Sequence, residues 1–456
     1  MEPKKQLKII IQSVDSIGHM MACIGLAQAL KQRGHRVYFI NSPSYAGSYE
    51  KFDMDEIIVG KNATTSPFGS NESDQTEMKR EHPIQNVMFL HNFLTKGIIS
   101  GKSSFEKLDS FDKKNDSGFH QKLQNHIKET HEEISDLMAK EKPDLIIIDN
   151  FLVYPCIAFG KIPWATLISS GPLCLFDSSE LPPLMSGYPT NDQSEWKEFR
   201  TKLESTCYAK MKAIQDDLNQ TFGYPCTKER GFIQKSPFMN IYGYPDELDY
   251  GDVIEIPENM VKIDTFARLE PEQFEFPAEF KAKLKPEDKL IYLSMGSMCA
   301  IDVELMKKLC RVLSQTPYKV IVSKGPAYDQ YELPDNMWGK AFLPQTKILP
   351  MVDMVMTHGG NNTVTEAFML GKPMLVMPMF GDQYDNAQRI AEKGYGLRIN
   401  AHNCGETEMI ECIEKLMNDK EIRDRCRKAA ERIQSSNSKE KACIKIEQLV
   451  AKYAQS

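Results

Sequence analysis

The stretch THGGNNTVTEAF, residues 357–368, places a histidine and two glycines directly after a short apolar segment. That segment, residues 351–356, is short and apolar enough to be a buried strand, so Thr357 and His358 are predicted to lie at its carboxyl end. Gly359 and Gly360 then permit a tight reversal that side chains would obstruct. The pattern predicts a strand that leads through a glycine turn into a helix.

The helix after this turn is predicted to begin at Asn362 or Thr363, whose side chains suit a helix cap. Gly371 suits the left-handed position just past a helix end, and residues 374–377 return to a strand. In open parallel sheets, a glycine turn of this kind brings backbone N–H groups and the positive end of a helix dipole toward an anion. We interpret the turn as a phosphate-binding site.

A purely structural interpretation of the same stretch is also open. Thr363 and Glu366 have the spacing of a capping box, which alone would explain both residues. His358 could equally be a hydrogen-bonded histidine at the edge of the core. Because short motifs have a high false-positive rate, residues elsewhere in the chain must decide.

The composition is that of an ordinary globular protein. With 456 residues the chain is long enough for two or three domains, and 41% hydrophobic with 9% aromatic residues is enough for sizeable cores. The formal net charge of -7 gives no overall basic surface, so we expect no nucleic-acid partner. A local site for a small anion is compatible with this charge.

Cysteine usage and the chain ends favour a cytoplasmic protein. The eleven cysteines contain no C-x-x-C pair and are odd in number, so neither a disulfide framework nor a metal site is predicted. No window approaches the roughly 20 apolar residues needed to cross a bilayer, and no signal-peptide pattern follows Met1. We expect reduced thiols, no transmembrane anchor and a cytoplasmic location.

Two stretches of alternating strands and helices divide the chain. The first has a strand at Lys8–Ser13, a helix over 19–33 and a strand over 37–40, and the second starts at residue 289. Between them the sequence is rich in proline and charge, which is typical of a linker. The prediction is an α/β protein with a first domain at 1–245, a linker region at 246–288, a second domain at 289–430 and a final helix at 431–456 that packs back on the first domain.

The first domain contains a polar, charged region at residues 66–131. We expect surface loops there, interrupted by the apolar segment 87–94, which is predicted to be a helix that lines a pocket.

Several short motifs in the second half occur in one order and spacing. They are Phe342-Leu-Pro-Gln345, Thr357-His-Gly-Gly360, Glu366, Gly371-Lys-Pro373, Gly381-Asp-Gln383 and Asn386-Ala387. The set resembles the donor-binding signature of the UDP-glycosyltransferases, the family 1 glycosyltransferases, which move a sugar from a uridine diphosphate carrier to small lipophilic acceptors. The resemblance implies the GT-B fold, in which two Rossmann-like domains with parallel sheets face each other across a cleft, the first binding the acceptor and the second the UDP-sugar.

The resemblance also assigns donor-binding residues. It places the uracil against Phe342, where many plant members have Trp, with the Leu343 backbone and Gln345 beside the base or ribose and Glu366 on the ribose hydroxyls. A phenyl ring stacks with less area than an indole, so this contact is expected to be weaker. The residues implied at the diphosphate are His358, Gly360, Asn362, Thr363 and Ser297.

Asp382 and Gln383 form a pair that is common in members using UDP-glucose, and it implies contact with the sugar hydroxyls, with Asn386 beside them. From the pattern alone, Asp382 could simply cap the following helix. Neither end of the sequence resembles the signal peptide or the anchor of the membrane-bound animal members, so we expect a soluble member, which also removes the main reason to expect UDP-glucuronate.

His19, in Ser16-Ile-Gly-His19 after the first strand, and Asp149, at the end of the segment 145–149, match the family's catalytic pair. A helix amino end disfavours imidazolium, so His19 is expected to be neutral and able to accept a proton. Asp149 would fix the tautomer of His19. The structural alternatives are a helix-opening histidine and a cap on the helix that carries Pro155.

The implied reaction is a single inverting displacement by a hydroxyl on a UDP-sugar, with no metal and no prosthetic group. A UDP-sugar epimerase or hydrolase on the same fold, and a nucleotide-sugar-binding protein without turnover, are the alternatives. The acceptor class includes phenols, flavonoids and xenobiotic alcohols.

Overall fold

Parallel strands build two separate sheets in the computed structural model, which describes residues 5–64, 87–111, 118–229 and 231–453. The first sheet has seven strands in the order β3-β2-β1-β4-β5-β6-β7, and the second has six in the order β10-β9-β8-β11-β12-β13. The strands of the first sheet are β1 (Lys8–Ser13), β2 (Arg36–Asn41), β3 (Asp55–Ile58), β4 (Leu145–Asp149), β5 (Trp164–Ile168), β6 (Met239–Gly243) and β7 (Met260–Ile263). Those of the second are β8 (Leu290–Ser294), β9 (Lys319–Ser323), β10 (Met337–Lys340), β11 (Met354–Thr357), β12 (Met374–Val376) and β13 (Gly396–Arg398).

Helices connect the strands within each sheet. Those before β8 are α1 (Ile17–Gln32), α2 (Val87–Thr95), α3 (Ser104–Lys107), α4 (Phe119–Glu141), α5 (Pro155–Ala158), α6 (Trp196–Leu203), α7 (Ala209–Thr221) and α8 (Ala278–Lys281). Those after β8 are α9 (Gly296–Cys299), α10 (Val303–Ser314), α11 (Gln345–Ile348), α12 (Asn361–Met369), α13 (Gln383–Glu392), α14 (Glu406–Asn418), α15 (Lys420–Ser435) and α16 (Ser438–Tyr453). The predicted α/β class is confirmed.

The strand sequences are apolar because helices bury both faces of each sheet. All five residues of β4, with the sequence LIIID, are buried, including the aspartate that ends it. In the second sheet, α10 and α14 cover one face with Leu305, Leu309, Met409 and Ile413. Strands covered by helices on both sides read as continuous apolar runs rather than as alternating ones.

The direction of the strand order reverses once in each sheet. In the first, β1 lies between β2 and β4, and Ser13 pairs with Asp149. In the second, β8 lies between β9 and β11, and Ser294 pairs with Thr357. Ligands of open α/β sheets bind at such switch points, outside the carboxyl ends of the strands. The loops after β1, β4, β8 and β11 therefore determine where a ligand would lie.

Two segments differ from the sequence-based expectation. The long helix α4 occupies part of the region predicted to be surface loops, and it buries Leu123, Ile127, Ile134 and Met138. Of that region, residues 66–86 and 112–117 lie outside the described residues. The predicted linker contributes β7, which pairs with β6, so the first sheet continues beyond residue 245.

The last helix contacts the first domain. Arg33, just after α1, donates from Nε and Nη2 to the carboxylate of Glu447 at 2.7 and 2.9 Å, and Glu447 also lies 3.0 Å from His35 Nε2. The chain thus crosses between domains twice, once after β7 and once before α16. The division at residues 245, 288 and 430 stays a sequence-based prediction.

Candidate active site

His19 and Asp149 meet at the switch point of the first sheet. His19 lies in the first turn of α1, directly after β1, and its Nδ1 is 3.0 Å from Asp149 Oδ2. The hydroxyl of Ser169, in the loop after β5, lies 3.0 Å from the same ring nitrogen. With the ring proton on Nδ1 facing the carboxylate, Nε2 keeps its lone pair. The arrangement suits a general base, and it excludes Asp149 as the cap of α5, which begins after Tyr154.

Two carboxylates act on the charge of His19. Burial favours the neutral ring, but the charge and hydrogen bond of Asp149, with the charge of Asp382, raise the pKa of His19 above its ordinary value. The effect of the helix amino end on this residue stays a sequence-based prediction. Because its pKa is raised, the His19 imidazole is a stronger base than an isolated histidine.

The turn after β11 holds the imidazole of His358 between two glycines. A Cβ atom on Gly296 would lie 2.5 Å from His358 Cε1, and one on Gly360 would lie 2.5 Å from His358 Nε2. The glycines are thus required for ring space as well as for the turn, where Gly359 has φ +89. Burial lowers the pKa of His358 to about 4 against the opposing effect of a hydrogen bond to the Ser294 backbone, so the ring is neutral and carries a single N–H.

The helix after this turn begins earlier than predicted. Its cap position is Gly360 and α12 starts at Asn361, so the expectation of a cap at Asn362 or Thr363 was wrong, and so is a capping box of Thr363 with Glu366. Gly371 does adopt the expected left-handed conformation at φ +65. Starting at residue 361 moves Thr363 and Glu366 into the helix, which frees both side chains from capping.

A cavity of about 260 Å³ lies between the two switch points, and most of the predicted donor residues line it. Those lining it are Ser297, Phe342, Leu343, Gln345, His358, Gly360, Asn362, Thr363, Glu366 and Asp382. Asn362 also crosses to the first domain, where its Nδ2 donates to the Gly18 carbonyl at 2.7 Å. The amino end of α12 opens into this cavity, so unpaired N–H groups and the helix dipole favour an anion there. We call it the donor cavity.

Glu366 has partners that the sequence did not reveal. Its carboxylate accepts from Gln345 Nε2 at 2.6 Å and pairs with Arg268 Nη1 at 3.2 Å. Arg268 also pairs with Glu270 and lines the donor cavity. Burial raises the pKa of Glu366, and Arg268 opposes that effect. Arg268 belongs to the predicted linker, where no motif marked it.

Gln383 and Asn386 are not among the described residues that line the donor cavity. The Gln383 side-chain oxygen accepts from the N–H groups of Met379 and Phe380 at 2.9 and 3.2 Å, and Asn386 Nδ2 donates to the Gly359 carbonyl at 2.9 Å. Both residues hold loops beside the cavity. Asp382 precedes α13 but its side chain caps no N–H of that helix.

Asp382 instead reaches the first domain. Its Oδ2 accepts from the N–H of Gly171 at 2.7 Å, and burial raises its pKa to about 6. No sequence motif marked Ser169 and Ser170, although they follow β5, whose carboxyl end opens at the same edge of the sheet.

A second cavity of about 250 Å³ adjoins the donor cavity on the side of the first domain. Six phenylalanines line it: Phe93, Phe111, Phe119, Phe151, Phe232 and Phe380. Phe93 belongs to α2, as predicted for an apolar helix that lines a pocket. His19, Ser170 and Asp382 line both cavities. A group held in the apolar cavity therefore meets a group held in the donor cavity at His19. We call the second space the acceptor cavity.

Two further observations concern the described residues. No group of three or more His, Cys, Asp or Glu side chains in them could hold a metal ion. None of their helices combines the length and the apolar character needed to cross a membrane.

Comparison with known proteins identifies the family of the chain. The family model described as UDP-glucoronosyl and UDP-glucosyl transferase matches residues 253–431. Human UDP-glucuronosyltransferase 1A5 is 30% identical over 445 residues, which cover 91% of this chain and 77% of the human protein.

Two solved structures have similar folds. The calicheamicin glycosyltransferase CalG4 has a TM-score of 0.65 at 17% identity and covers 99% of this chain and 100% of its own. SsfS6 from Streptomyces sp. SF2575, solved with thymidine diphosphate, has a TM-score of 0.61 at 16% identity and covers 97% and 100%.

The two doubly wound sheets and these structural neighbours define the GT-B fold of the glycosyltransferases, which confirms the fold implied by the sequence. Within that class, the chain belongs to the UDP-glycosyltransferase family, and the protein is a glycosyltransferase.

Proposed function

We propose that the protein transfers glucose from UDP-glucose to a hydroxyl group of a small lipophilic acceptor, with inversion at the anomeric carbon. One observation carries the proposal: His19 lines both the acceptor cavity and the donor cavity, and a buried carboxylate is paired with its Nδ1. A base at the junction of two cavities serves a reaction between two bound molecules, whereas hydrolysis or epimerisation needs no apolar cavity beside the donor.

The proposed step is a single displacement. The acceptor hydroxyl gives its proton to His19 Nε2 while its oxygen forms a bond to the anomeric carbon, and the bond from that carbon to the UDP oxygen breaks. Asp149 stabilises the imidazolium that forms. The negative charge that develops on UDP is met by the N–H of His358 and by the amino end of α12, both of which line the donor cavity. No metal or prosthetic group takes part in this proposal.

The residues that line the donor cavity are proposed to recognise the donor. Phe342 stacks on the base, Gln345 and Glu366 bind the ribose, and Ser297, Asn362 and Thr363 complete the diphosphate site. Their common placement on the donor cavity supports these roles.

The sugar is proposed to be glucose because Asp382 lines the space where the two cavities meet. A carboxylate accepts hydrogen bonds from neighbouring sugar hydroxyls, whereas it would repel the carboxylate of a glucuronate. The relatives include proteins named for either sugar, such as the human glucuronosyltransferase and the Bacillus subtilis UDP-glucosyltransferase YojK, 26% identical over 172 residues, 37% of this chain and 42% of that protein.

Incubation with UDP-glucose and a mixture of phenols and alcohols tests the proposal. We expect free UDP in equal amount to an acceptor whose mass has grown by one hexosyl unit, with the β-linkage that inversion produces seen by NMR. Release of UDP and free glucose without a glycosylated acceptor would identify a hydrolase. Isomerised UDP-sugar without release of UDP would identify an epimerase. A donor panel with one good acceptor tests the sugar, and preference for UDP-glucuronate would overturn that assignment.

A further inference from the structure

Lys107 is a buried lysine in a cavity whose walls are mostly apolar. It is the last residue of α3 and is 7% exposed. It lines the acceptor cavity together with Phe93, Phe111 and Tyr384. No other lysine or arginine is found among the described residues that line this cavity. The described lining of the acceptor cavity thus combines mostly apolar side chains with one buried lysine.

The ammonium group has only uncharged partners in the described part of the chain. Its Nζ donates to the carbonyl of Ser100 at 2.8 Å and to the carbonyl of Met379, and it lies 5.4 Å from the centre of the Tyr384 ring. No carboxylate among the described residues lies within ion-pair distance of it. Burial lowers the pKa of Lys107 to about 8, although the charge of Glu106 acts in the opposite direction.

A buried charge of this kind is costly unless it is paired, so an anion that enters the cavity gains more than it would from an exposed lysine. The two carbonyl oxygens leave one of the three N–H donors of the ammonium available. Asp382, the carboxylate on the same cavity, already accepts a hydrogen bond from the N–H of Gly171.

We propose that Lys107 makes the acceptor cavity selective for hydroxylated acids, whose hydroxyl reaches His19 while their carboxylate binds the Lys107 ammonium. This inference rests on the proposed function and names the acceptor class for the same site. Compact aromatic or aliphatic acids with a hydroxyl at the far end suit a cavity of about 250 Å³ with phenylalanine walls.

A merely structural role for Lys107 makes a different prediction. Since Lys107 ties the Ser100 carbonyl to the Met379 carbonyl, its loss could disturb the cavity for every acceptor alike. Selectivity between an acid and its ester separates the two roles, because damage to the cavity lowers both rates whereas loss of the ion pair lowers only that of the acid.

The experiment measures kcat/KM with UDP-glucose for 3-(4-hydroxyphenyl)propanoate and for its methyl ester, in which two methylene groups keep the phenol equally acidic. The native protein is expected to favour the acid at least tenfold. Lys107→Met is expected to reduce the acid-to-ester ratio ten- to a hundredfold, mainly through KM of the acid, as for the loss of a hydrogen bond to a charged group. Lys107→Arg should keep most of the ratio, and Lys197→Met, which removes an exposed lysine outside both cavities, should keep all of it.

An acid-to-ester ratio near one in the native protein, or the same ratio in Lys107→Met as in the native protein, would overturn the inference while leaving glycosyl transfer intact. If Lys107→Met does not fold, the acid-to-ester ratios of the native protein and of Lys107→Arg test the inference. Absence of hexosyl transfer to either compound and to the wider acceptor panel would instead count against the proposed function.

Discussion

Replacement of His19 should separate catalysis from donor binding, because the base and most of the donor cavity lie on different domains. A positioned general base contributes about 10²–10⁴ in rate, which corresponds to about 2.7–5.5 kcal/mol of activation free energy. We therefore expect His19→Ala to lose that factor in kcat with an aliphatic alcohol as acceptor. UDP affinity should change little, since Ser297, Phe342 and His358 remain in place.

The structure also predicts that His19→Ala lowers the free energy of unfolding, so the experiment needs a control for stability. In His19→Ala, the Asp149 carboxylate, 1% exposed, loses the imidazole at 3.0 Å and keeps the weak Cys23 thiol at 3.9 Å. Removal of one hydrogen bond to a buried charge costs about 1.5–3 kcal/mol of unfolding free energy. His19→Gln is the matched control, because its amide can donate to Asp149 but cannot take up the acceptor proton.

The assay pairs initial rates with calorimetric titration of UDP and with urea unfolding. His19→Gln should be nearly as inactive as His19→Ala while recovering most of the lost stability. An acidic phenol, which needs less help in losing its proton, should lose less rate than the alcohol. Asp149→Asn should also lower turnover, since it can reverse the tautomer of His19. Native rates for both acceptors in folded His19→Ala and His19→Gln would refute the assigned mechanism.

Three further predictions address the charges of the site. His358→Ala should weaken UDP binding about ten- to a hundredfold, and Gly360→Ala should do so too by displacing the imidazole; unchanged calorimetric affinity in either would refute the phosphate role. The kcat/KM of an aliphatic alcohol at saturating donor should rise with pH, because His19 must be deprotonated, and the midpoint should lie above 6.5 since two carboxylates raise its pKa; a lower midpoint would contradict this charge balance. Arg268→Met should raise KM for UDP-glucose about tenfold with little effect on kcat, since it positions Glu366 for the ribose; a fall in kcat at constant KM would place Arg268 elsewhere in the mechanism.

The sequence by itself determined the local pieces of this protein. The apolar runs in β1, β4 and β8, each short and followed by a turn, are strands because their side chains can be buried only inside a sheet. The glycines after β11 specify a tight turn wherever it lies in the fold. Because the donor signature is a set of local motifs at fixed spacing, it revealed the family and the fold before any contact was known.

Tertiary structure decided which of these pieces meet. No local pattern states that Ser13 pairs with Asp149, yet that register brings Asp149 to His19 across 130 residues of chain. Arg268 is ordinary in its own segment and gains a role only because the chain after β7 passes beside Glu366. The charge of His19 likewise depends on Asp149 and Asp382, which come from other strands and from the other domain. Propensity and capping act over a few neighbouring residues, whereas burial and charge act on whatever the fold places nearby, so only packing determines which groups of the site interact.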